Sequence, residues 1–159
     1  MEKTNVMRIL DQHKISYQTY CYKDTAAISG VEVATVLGQD MNQVFKTLVT
    51  VSSSKKYYVF MIPVASELDL KKAAKSVGEK SISMLSQKEL LPLTGYVHGG
   101  CSPIGMKKRF PVIIDQSAKD FSTIIFSAGK VGYQVELSVS DLEGFLSCQF
   151  ASLTVGDFL

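Results

Sequence analysis

The sequence predicts a mixed α/β domain built on a curved β-sheet. Its 159 residues are about one domain in length, and 46% are hydrophobic against 20% charged, as in an ordinary globular protein. Helical and strand periodicities follow one another irregularly, not as a repeated strand–helix–strand series. Neither GxGxxG nor GxxxxGK[ST] occurs, which excludes a Rossmann or P-loop phosphate-binding protein.

Helices are predicted where apolar residues recur at helical spacing behind a capping side chain. Val6, Ile9 and Leu10 share one face of the first helix, and His13 continues that face. A capping box, in which a Ser and a Glu three residues later bond each other's backbone amides, is predicted at three places. These begin at Ser29, Ser86 and Ser140. The helices are predicted over residues 4–12, 30–37, 70–77, 87–91 and 141–146.

Helix ends and faces are predicted from single residues. Asp69 is expected to cap the third helix, and Gly38 and Gly78 are expected to end the second and the third. Pro92 is expected to stop the fourth. The inner face of the third helix is predicted as Leu70, Ala73, Ala74 and Val77.

Strands are predicted where β-branched and aromatic residues cluster or alternate. The polar turn at residues 53–55 joins two such runs, so a hairpin is expected there. The predicted strands cover residues 15–22, 44–52, 56–64, 111–115, 123–126, 134–139 and 149–155. No linker or repeat divides the chain, and we expect residues 1–159 to form one domain.

Composition excludes several classes of function. The net charge is +2, from 17 Lys and Arg against 15 Asp and Glu, too balanced to coat nucleic acid by charge alone. Three widely spaced cysteines and two histidines form neither a disulfide framework nor a zinc pattern, so we expect no metal and no cofactor. There is no long uncharged apolar run and no apolar signal core, so a cytoplasmic protein is expected.

Lys46 is the first candidate for chemistry. It lies in the predicted strand 44–52, and both faces of that strand carry apolar residues, as in a central strand. A lysine there must reach an edge, pair with an anion or line a pocket, because burying an unpaired charge is costly. The alternative, favoured by position alone, is a lysine that snorkels to solvent from a half-exposed strand.

Two glycine-rich segments could bring backbone close to a ligand. Residues 94–105 contain four glycines, and free amides there could hold an oxyanion; residues 127–132 could bind through Ser127 and backbone amides. Ordinary turns explain both strings as well. A Cys101–His98 nucleophile pair would need a third orienting group, which the sequence does not identify, so a buried thiol and a surface histidine are favoured.

A basic cluster offers the best candidate for phosphate contact. It consists of Lys107, Lys108 and Arg109, followed by Phe110. A lysine-rich helix face at residues 71–75 could extend it, although a solvated surface is the favoured explanation of both runs from the sequence alone.

Three strings in order resemble the YbaK/EbsC family, the free-standing Cys-tRNA(Pro) deacylases related to the editing domain of bacterial prolyl-tRNA synthetases. They are Val44–Leu48, Thr94–Tyr96 continuing through Gly105–Arg109, and Ser127–Lys130 with Glu136–Leu137. Each string is weak alone and the ordered set is specific. The resemblance covers about residues 4 to 155 and implies a mixed, partly barrel-like sheet surrounded by helices.

The resemblance also implies residue roles. Lys46 matches the family's essential lysine near the terminal nucleotide and the ester, and Gly99 and Gly100 match glycines whose amides face the substrate carbonyl. Further substrate contacts are expected at Tyr22, Phe45, Ser127, Gly129 and Gln134, and tRNA contacts at Lys107, Lys108 and Arg109. The chain departs from the family at Gln134, where well-known members carry an aspartate, and at the usually apolar positions His98 and Cys101.

The function that the resemblance implies is trans-editing of Cys-tRNA(Pro), and also of Cys-tRNA(Cys), by attack of the substrate thiol on its own ester. Expected partners are the acceptor end of tRNA(Pro) and prolyl-tRNA synthetase, with no membrane and no DNA. Two alternatives stay open. One is a deacylase that uses water to remove another small amino acid from tRNA(Pro), and the other is a non-catalytic tRNA-binding regulatory module.

Overall fold

The computed structural model describes residues 2–156, which form five α-helices and eight strands arranged in two sheets. The helices are α1 (Asn5–Gln12), α2 (Gly30–Leu37), α3 (Leu70–Val77), α4 (Gln87–Thr94) and α5 (Val139–Leu146), with a 3-10 turn at Gln116–Asp120. The strands are β1 (Tyr17–Cys21), β2 (Phe45–Ser52), β3 (Tyr57–Pro63), β4 (Ile82–Met84), β5 (Val112–Asp115), β6 (Thr123–Ser127), β7 (Tyr133–Ser138) and β8 (Gln149–Ala151). None of the described helices is long and apolar enough to span a bilayer.

The two sheets meet at one corner. A three-stranded antiparallel sheet has the order β1-β7-β6, and a five-stranded mixed sheet has the order β4-β2-β3-β5-β8. A parallel bridge between Val44 and Ile125 joins them, and the Ile125 amide donates to the Gln43 carbonyl at 3.0 Å. The predicted curved mixed sheet is confirmed, and it bends around the corner without closing into a barrel.

Side-chain alternation gives this curved sheet two faces. On the first face, Phe45, Phe126 and Val135 are buried in the main core, against which α1 and α5 pack. On the second face are two smaller apolar clusters. One packs α3 over Phe60 and Ile62, and the other places Ala34 of α2 with Val44, Val64 and Ile125. The second face is therefore only partly covered.

The caps of α2 are those that the sequence predicts. The Ser29 hydroxyl accepts from the Glu32 amide at 3.1 Å, and the Glu32 carboxylate accepts from the Ser29 amide at 3.0 Å, which completes the capping box. Gly38 ends the helix with φ +66°, a left-handed conformation that favours glycine. Gly30 lies so close to the Val64 side chain that a Cβ would sit 2.6 Å from it, which seats α2 directly on the second face.

The predicted hairpin is confirmed, with β2 and β3 antiparallel, and Asp69 caps α3 through the amides of Lys71 and Lys72. Leu70 is an exception to the predicted inner face of α3, since it is 40% exposed.

Three predictions about helix ends are wrong. Ser86 precedes α4, but its side chain makes no capping hydrogen bond. Pro92 lies inside α4 and does not stop it, because the helix continues for two more residues to Thr94 and then ends at Gly95 in a left-handed conformation. The last helix is capped by Ser138, whose hydroxyl accepts from the Asp141 amide, and not by Ser140.

Candidate active site

A row of side chains from four strands forms the centre of the candidate site, on the second face of the sheet. Ser127 pairs with Gln134, and Gln134 pairs with Tyr20. Continuing the parallel Val44–Ile125 register by two residues places Lys46 opposite Ser127. We call Lys46, Ser127, Gln134 and Tyr20 the polar row.

Lys46 is half-buried in apolar surroundings. Val44 and Leu48 flank it along β2, and Ile62 pairs with it on β3 and is fully buried. Within residues 2–156 its ammonium makes no hydrogen bond and no ion pair. Burial lowers the pKa of Lys46 from its ordinary value of 10.5, and the charge of Glu67 opposes that shift. The side chain is therefore neither free in bulk water nor neutralised by the protein.

The glycine segment lies against the turn that joins β6 to β7. A Cβ on Gly100 would be 3.1 Å from the Val131 nitrogen, and Gly99 has φ +87°, a left-handed conformation that favours glycine. The Gly100 amide already donates to the Val97 carbonyl at 3.0 Å, whereas the Gly99 amide has no partner among the described residues. Of the two predicted oxyanion donors, only the Gly99 amide is free in this conformation.

The turn itself places Ser127 at the row. The Ser127 hydroxyl accepts from the Gly129 amide at 3.1 Å. A Cβ on Gly129 would lie 2.9 Å from Val6 and 3.1 Å from the Tyr96 ring. The structure thus gives Gly129 a packing role against α1, beside the substrate contact that the resemblance implies.

The two aromatic residues predicted to contact substrate lie on different faces of the sheet. Tyr22 follows β1 two residues after Tyr20, is buried, and donates its amide to the Gly132 carbonyl at 2.8 Å, which keeps it on the side of the polar row. Phe45 is only 2% exposed and packs in the main core on the first face of β2, opposite Lys46. The structure does not bring Phe45 to the polar row.

A hydrogen-bonded network that sequence reasoning missed surrounds Gln134. The buried Gln134 accepts from Gln39 Nε2 at 2.8 Å, and Gln39 Oε1 is buried without a partner. Glu136, two residues after Gln134 on β7, accepts one hydrogen bond from the Tyr20 hydroxyl and another, at 2.6 Å, from Thr123 Oγ1. Its carboxylate raises the pKa of Tyr20. The alternation of Gln134 and Glu136 in one strand was the available signal, since it places both on one face.

Cys101 and His98 do not form a reactive pair. Cys101 is buried, and burial raises the pKa of its thiol to about 12. The thiol is therefore protonated at neutral pH, and a thiol rather than a thiolate is a poor nucleophile. His98 is exposed. This agrees with the interpretation favoured from the sequence, a buried thiol and a surface histidine.

The basic cluster lies away from the polar row. Lys108 and Arg109 line a cavity of about 720 Å³ between α1, α5 and residues 103–110, which Lys46 does not line. Phe110 packs edge-on against Tyr57, with 5.6 Å between the ring centroids. Tyr57 is the first residue of β3, and Ile62 lies near the other end of that strand. Five residues of strand, about 17 Å, separate Tyr57 from Ile62. Lys108, Arg109 and Phe110 therefore lie away from Lys46.

Comparison with known proteins identifies the family. Residues 24–145 match the family model described as the aminoacyl-tRNA editing domain. The chain belongs to this family. The editing domain is 46% identical over 154 residues, 96% of this chain and 94% of the relative, to a protein of Enterococcus faecalis (strain ATCC 700802 / V583) named as a candidate Cys-tRNA(Pro)/Cys-tRNA(Cys) deacylase, EbsC. The YbaK/EbsC resemblance is thereby confirmed.

More distant relatives agree with this assignment. The editing domain is 30% identical over 102 residues to the proline–tRNA ligase of Shouchella clausii (strain KSM-K16), 64% of this chain and 18% of the ligase. A crystal structure of a candidate trans-editing enzyme for prolyl-tRNA synthetase superposes with a TM-score of 0.82 at 22% identity, over 98% of this chain and all of that one. The crystal structure of a hypothetical protein superposes with a TM-score of 0.86 at 18% identity, over 95% of this chain and 99% of that one. The two structures show the same fold.

Proposed function

We propose that this editing domain is a trans-acting deacylase that clears Cys-tRNA(Pro), with Cys-tRNA(Cys) as a second substrate. The observation that carries the proposal is the unpartnered, half-buried Lys46 ammonium, which shares one face of the sheet with Ser127 and Gln134. A cation held this way favours an anionic or polarised oxygen, because a low-polarity setting strengthens its attraction. The activity for which the EbsC relative is named supports the same substrate.

The polar row can seat the end of an aminoacylated tRNA. In this proposal, Lys46 contacts the terminal adenosine and its ester, and the Gly99 amide donates to the ester carbonyl oxygen as negative charge develops there. The Gly100 amide contributes only if it leaves the Val97 carbonyl. One such donor is typically worth about 3–4 kcal/mol in the transition state.

The proposed nucleophile is the thiol of the substrate. Its sulfur attacks the carbonyl carbon, forming a C–S bond as the bond between that carbon and the ribose oxygen breaks. The thiol proton is lost and the departing ribose oxygen gains one, so cysteine leaves as a cyclic thiolactone and the tRNA keeps its hydroxyl. Oriented intramolecular attack can be worth about 7–11 kcal/mol, of which ring strain consumes a part.

The protein side chains at the site support a substrate nucleophile. Cys101 has a pKa of about 12 because it is buried, and the Ser127 hydroxyl accepts from the Gly129 amide with no histidine among its hydrogen-bond partners in residues 2–156. A hydroxyl without an adjacent base is a weak nucleophile. The protein's contribution is then to hold geometry and to stabilise charge.

Selection of tRNA(Pro) is assigned to a partner. A net charge of +2 predicts few phosphate contacts, and therefore weak binding of the tRNA body by this chain alone, with a shallow dependence on salt. We propose that prolyl-tRNA synthetase supplies the recognition of the tRNA body, while the editing domain recognises the acceptor end.

The deciding experiment is a deacylation panel of Cys-, Ala- and Pro-tRNA(Pro) at catalytic protein concentrations, with mass spectrometry of the released product. Rapid loss of cysteine as thiolactone or its breakdown products is expected. Release of free alanine with cysteine untouched would instead support hydrolysis by water. Stable binding of tRNA without turnover of any substrate would support a regulatory module.

A further inference from the structure

Glu136 is an uncompensated carboxylate on the substrate face of the sheet. It is half-buried, and within residues 2–156 it has no lysine, arginine or histidine partner. Charged groups withdrawn from water are normally paired, so an unpaired, half-buried carboxylate calls for a cation from elsewhere.

The hydrogen bonds around Glu136 hold it in one position. Gln43 Nε2 donates to Thr123 Oγ1 at 2.9 Å, Thr123 Oγ1 donates to Glu136 at 2.6 Å, and Tyr20 donates to the other carboxylate oxygen. Each donor points toward Glu136, so the network ends on the anion. These hydrogen bonds hold the Glu136 carboxylate in place, but they supply no positive charge to pair with it.

A second acceptor lies close by. Gln39, just beyond the left-handed end of α2, donates to Gln134 through Nε2 and leaves Oε1 buried without a partner. If the side-chain amides of Gln39 and Gln134 were both flipped, so that oxygen and nitrogen exchanged places, one of the two carbonyl oxygens would still lack a hydrogen-bond donor. Gln134 and Glu136 are two residues apart on β7, so the amide pair and the carboxylate lie on the same face of the sheet.

Lys46 and Glu136 place opposite charges at the two sides of this face. Lys46 lies on β2 and Glu136 on β7, with β6 between the two strands. The amino acid end of an aminoacyl-tRNA carries one cation, its α-ammonium, beside an ester carbonyl that becomes negative during deacylation. The two charges of the substrate are therefore complementary to those of Glu136 and Lys46.

The geometry points to Glu136 as the residue that binds the α-ammonium of the aminoacyl group, with Tyr20 and Thr123 as the positioning residues that aim it. This assignment rests on the proposed deacylase function. Glu136 thereby selects substrates with a free amine, and the Gln39–Gln134 pair supplies the neutral acceptor beside it.

The test uses two non-hydrolysable analogues, 3′-cysteinylamino-3′-deoxyadenosine and its counterpart without the α-amine. Calorimetry measures the affinity of the whole protein for each. The wild type is expected to prefer the amine by about 10- to 100-fold, the usual effect of a hydrogen bond to a charged group. Glu136→Gln keeps the shape and an acceptor for Tyr20, and should bring that preference close to one.

Two controls separate a local effect from damage to the fold. Glu143→Gln removes one negative charge from the exposed face of α5 and should retain the full preference. Unchanged affinity of Glu136→Gln for the analogue without the amine would show that its pocket is intact. Tyr20→Phe is expected to lower the preference by a smaller factor.

The outcomes separate the role of Glu136 from the proposed deacylase function. An equal amine preference in wild type and Glu136→Gln overturns the assignment of Glu136 and leaves the deacylase function standing. Binding of neither analogue to the wild type overturns both. Loss of the preference only in Glu136→Gln, with Glu143→Gln unaffected, supports the assignment.

Discussion

Replacing Lys46 with methionine tests the part of the site on which the proposed function depends. Methionine keeps most of the unbranched stem that packs between Val44, Leu48 and Ile62, and it removes the ammonium. Burial lowers the pKa of Lys46, so the folded chain disfavours its charge relative to the unfolded chain. That destabilising effect is fully present below the lowered pKa and vanishes above the ordinary value of 10.5. At pH 7 the variant should be at least as stable as the wild type.

The expected effect on catalysis is large. Two unit charges about 4 Å apart interact by about 4 kcal/mol at an effective dielectric constant of about 20, which suits a partly buried site. That energy corresponds to about three powers of ten in rate. Because Lys46 is half-exposed, water fills part of the vacated space and recovers some of the loss. We expect single-turnover deacylation of Cys-tRNA(Pro) to fall by about 10²- to 10³-fold.

The assay follows release of the amino acid from tRNA labelled at its terminal nucleotide, together with urea denaturation of each variant. Lys80→Met is the matched control, because Lys80 is exposed just beyond α3 and its loss removes the same charge. Lys46→Arg should recover part of the rate. A Lys46→Met protein that folds normally and deacylates within threefold of the wild type would refute the assigned role.

Three further predictions follow from the structure. Affinity for the non-hydrolysable cysteinyl analogue should fall as pH rises through the lowered pKa of Lys46, below pH 10.5, and Lys46→Arg should move that fall to higher pH, as a titration of binding against pH would show. Alanine at residues 107–109 should weaken tRNA binding and reduce the slope of log affinity against log salt by up to about 3, with deacylation of a minimal aminoacyl-adenosine unchanged. Ser29→Ala should lower the free energy of unfolding by about 1 kcal/mol, whereas Ser86→Ala, which loses no capping bond, should leave it nearly unchanged in urea titrations.

Local signals in the sequence were sufficient for most elements of the fold. The capping box at Ser29, the left-handed Gly38 and the hairpin between β2 and β3 all depend on residues within a few positions of one another. Prediction failed where the choice was between neighbouring hydroxyls. Ser138 and Ser140 are both competent caps, and the last residues of β7 decide between them by ending the strand at Ser138.

The site was predictable only in part. Lys46, Ser127 and Gln134 were found through short strings, but their alignment in one row needs the β2–β6 bridge, which joins residues about 80 positions apart in the chain. The same long-range pairing turns Phe45 into the main core, away from the row. Sequence reasoning had no access to that pairing, and so it also missed Glu136 and its hydroxyl partners.

The sequence by itself determined the family and the lysine and glycines that carry the candidate chemistry. Tertiary structure alone decided that Lys46 is half-buried without an ion-pair partner in residues 2–156, and that the Gly100 amide donates to the Val97 carbonyl. It also decided that Glu136 has no cationic partner among those residues. The reason is physical. Propensity, caps and turns act through neighbours in the chain, whereas burial, charge pairing and free hydrogen-bonding capacity depend on what distant segments bring to the same place.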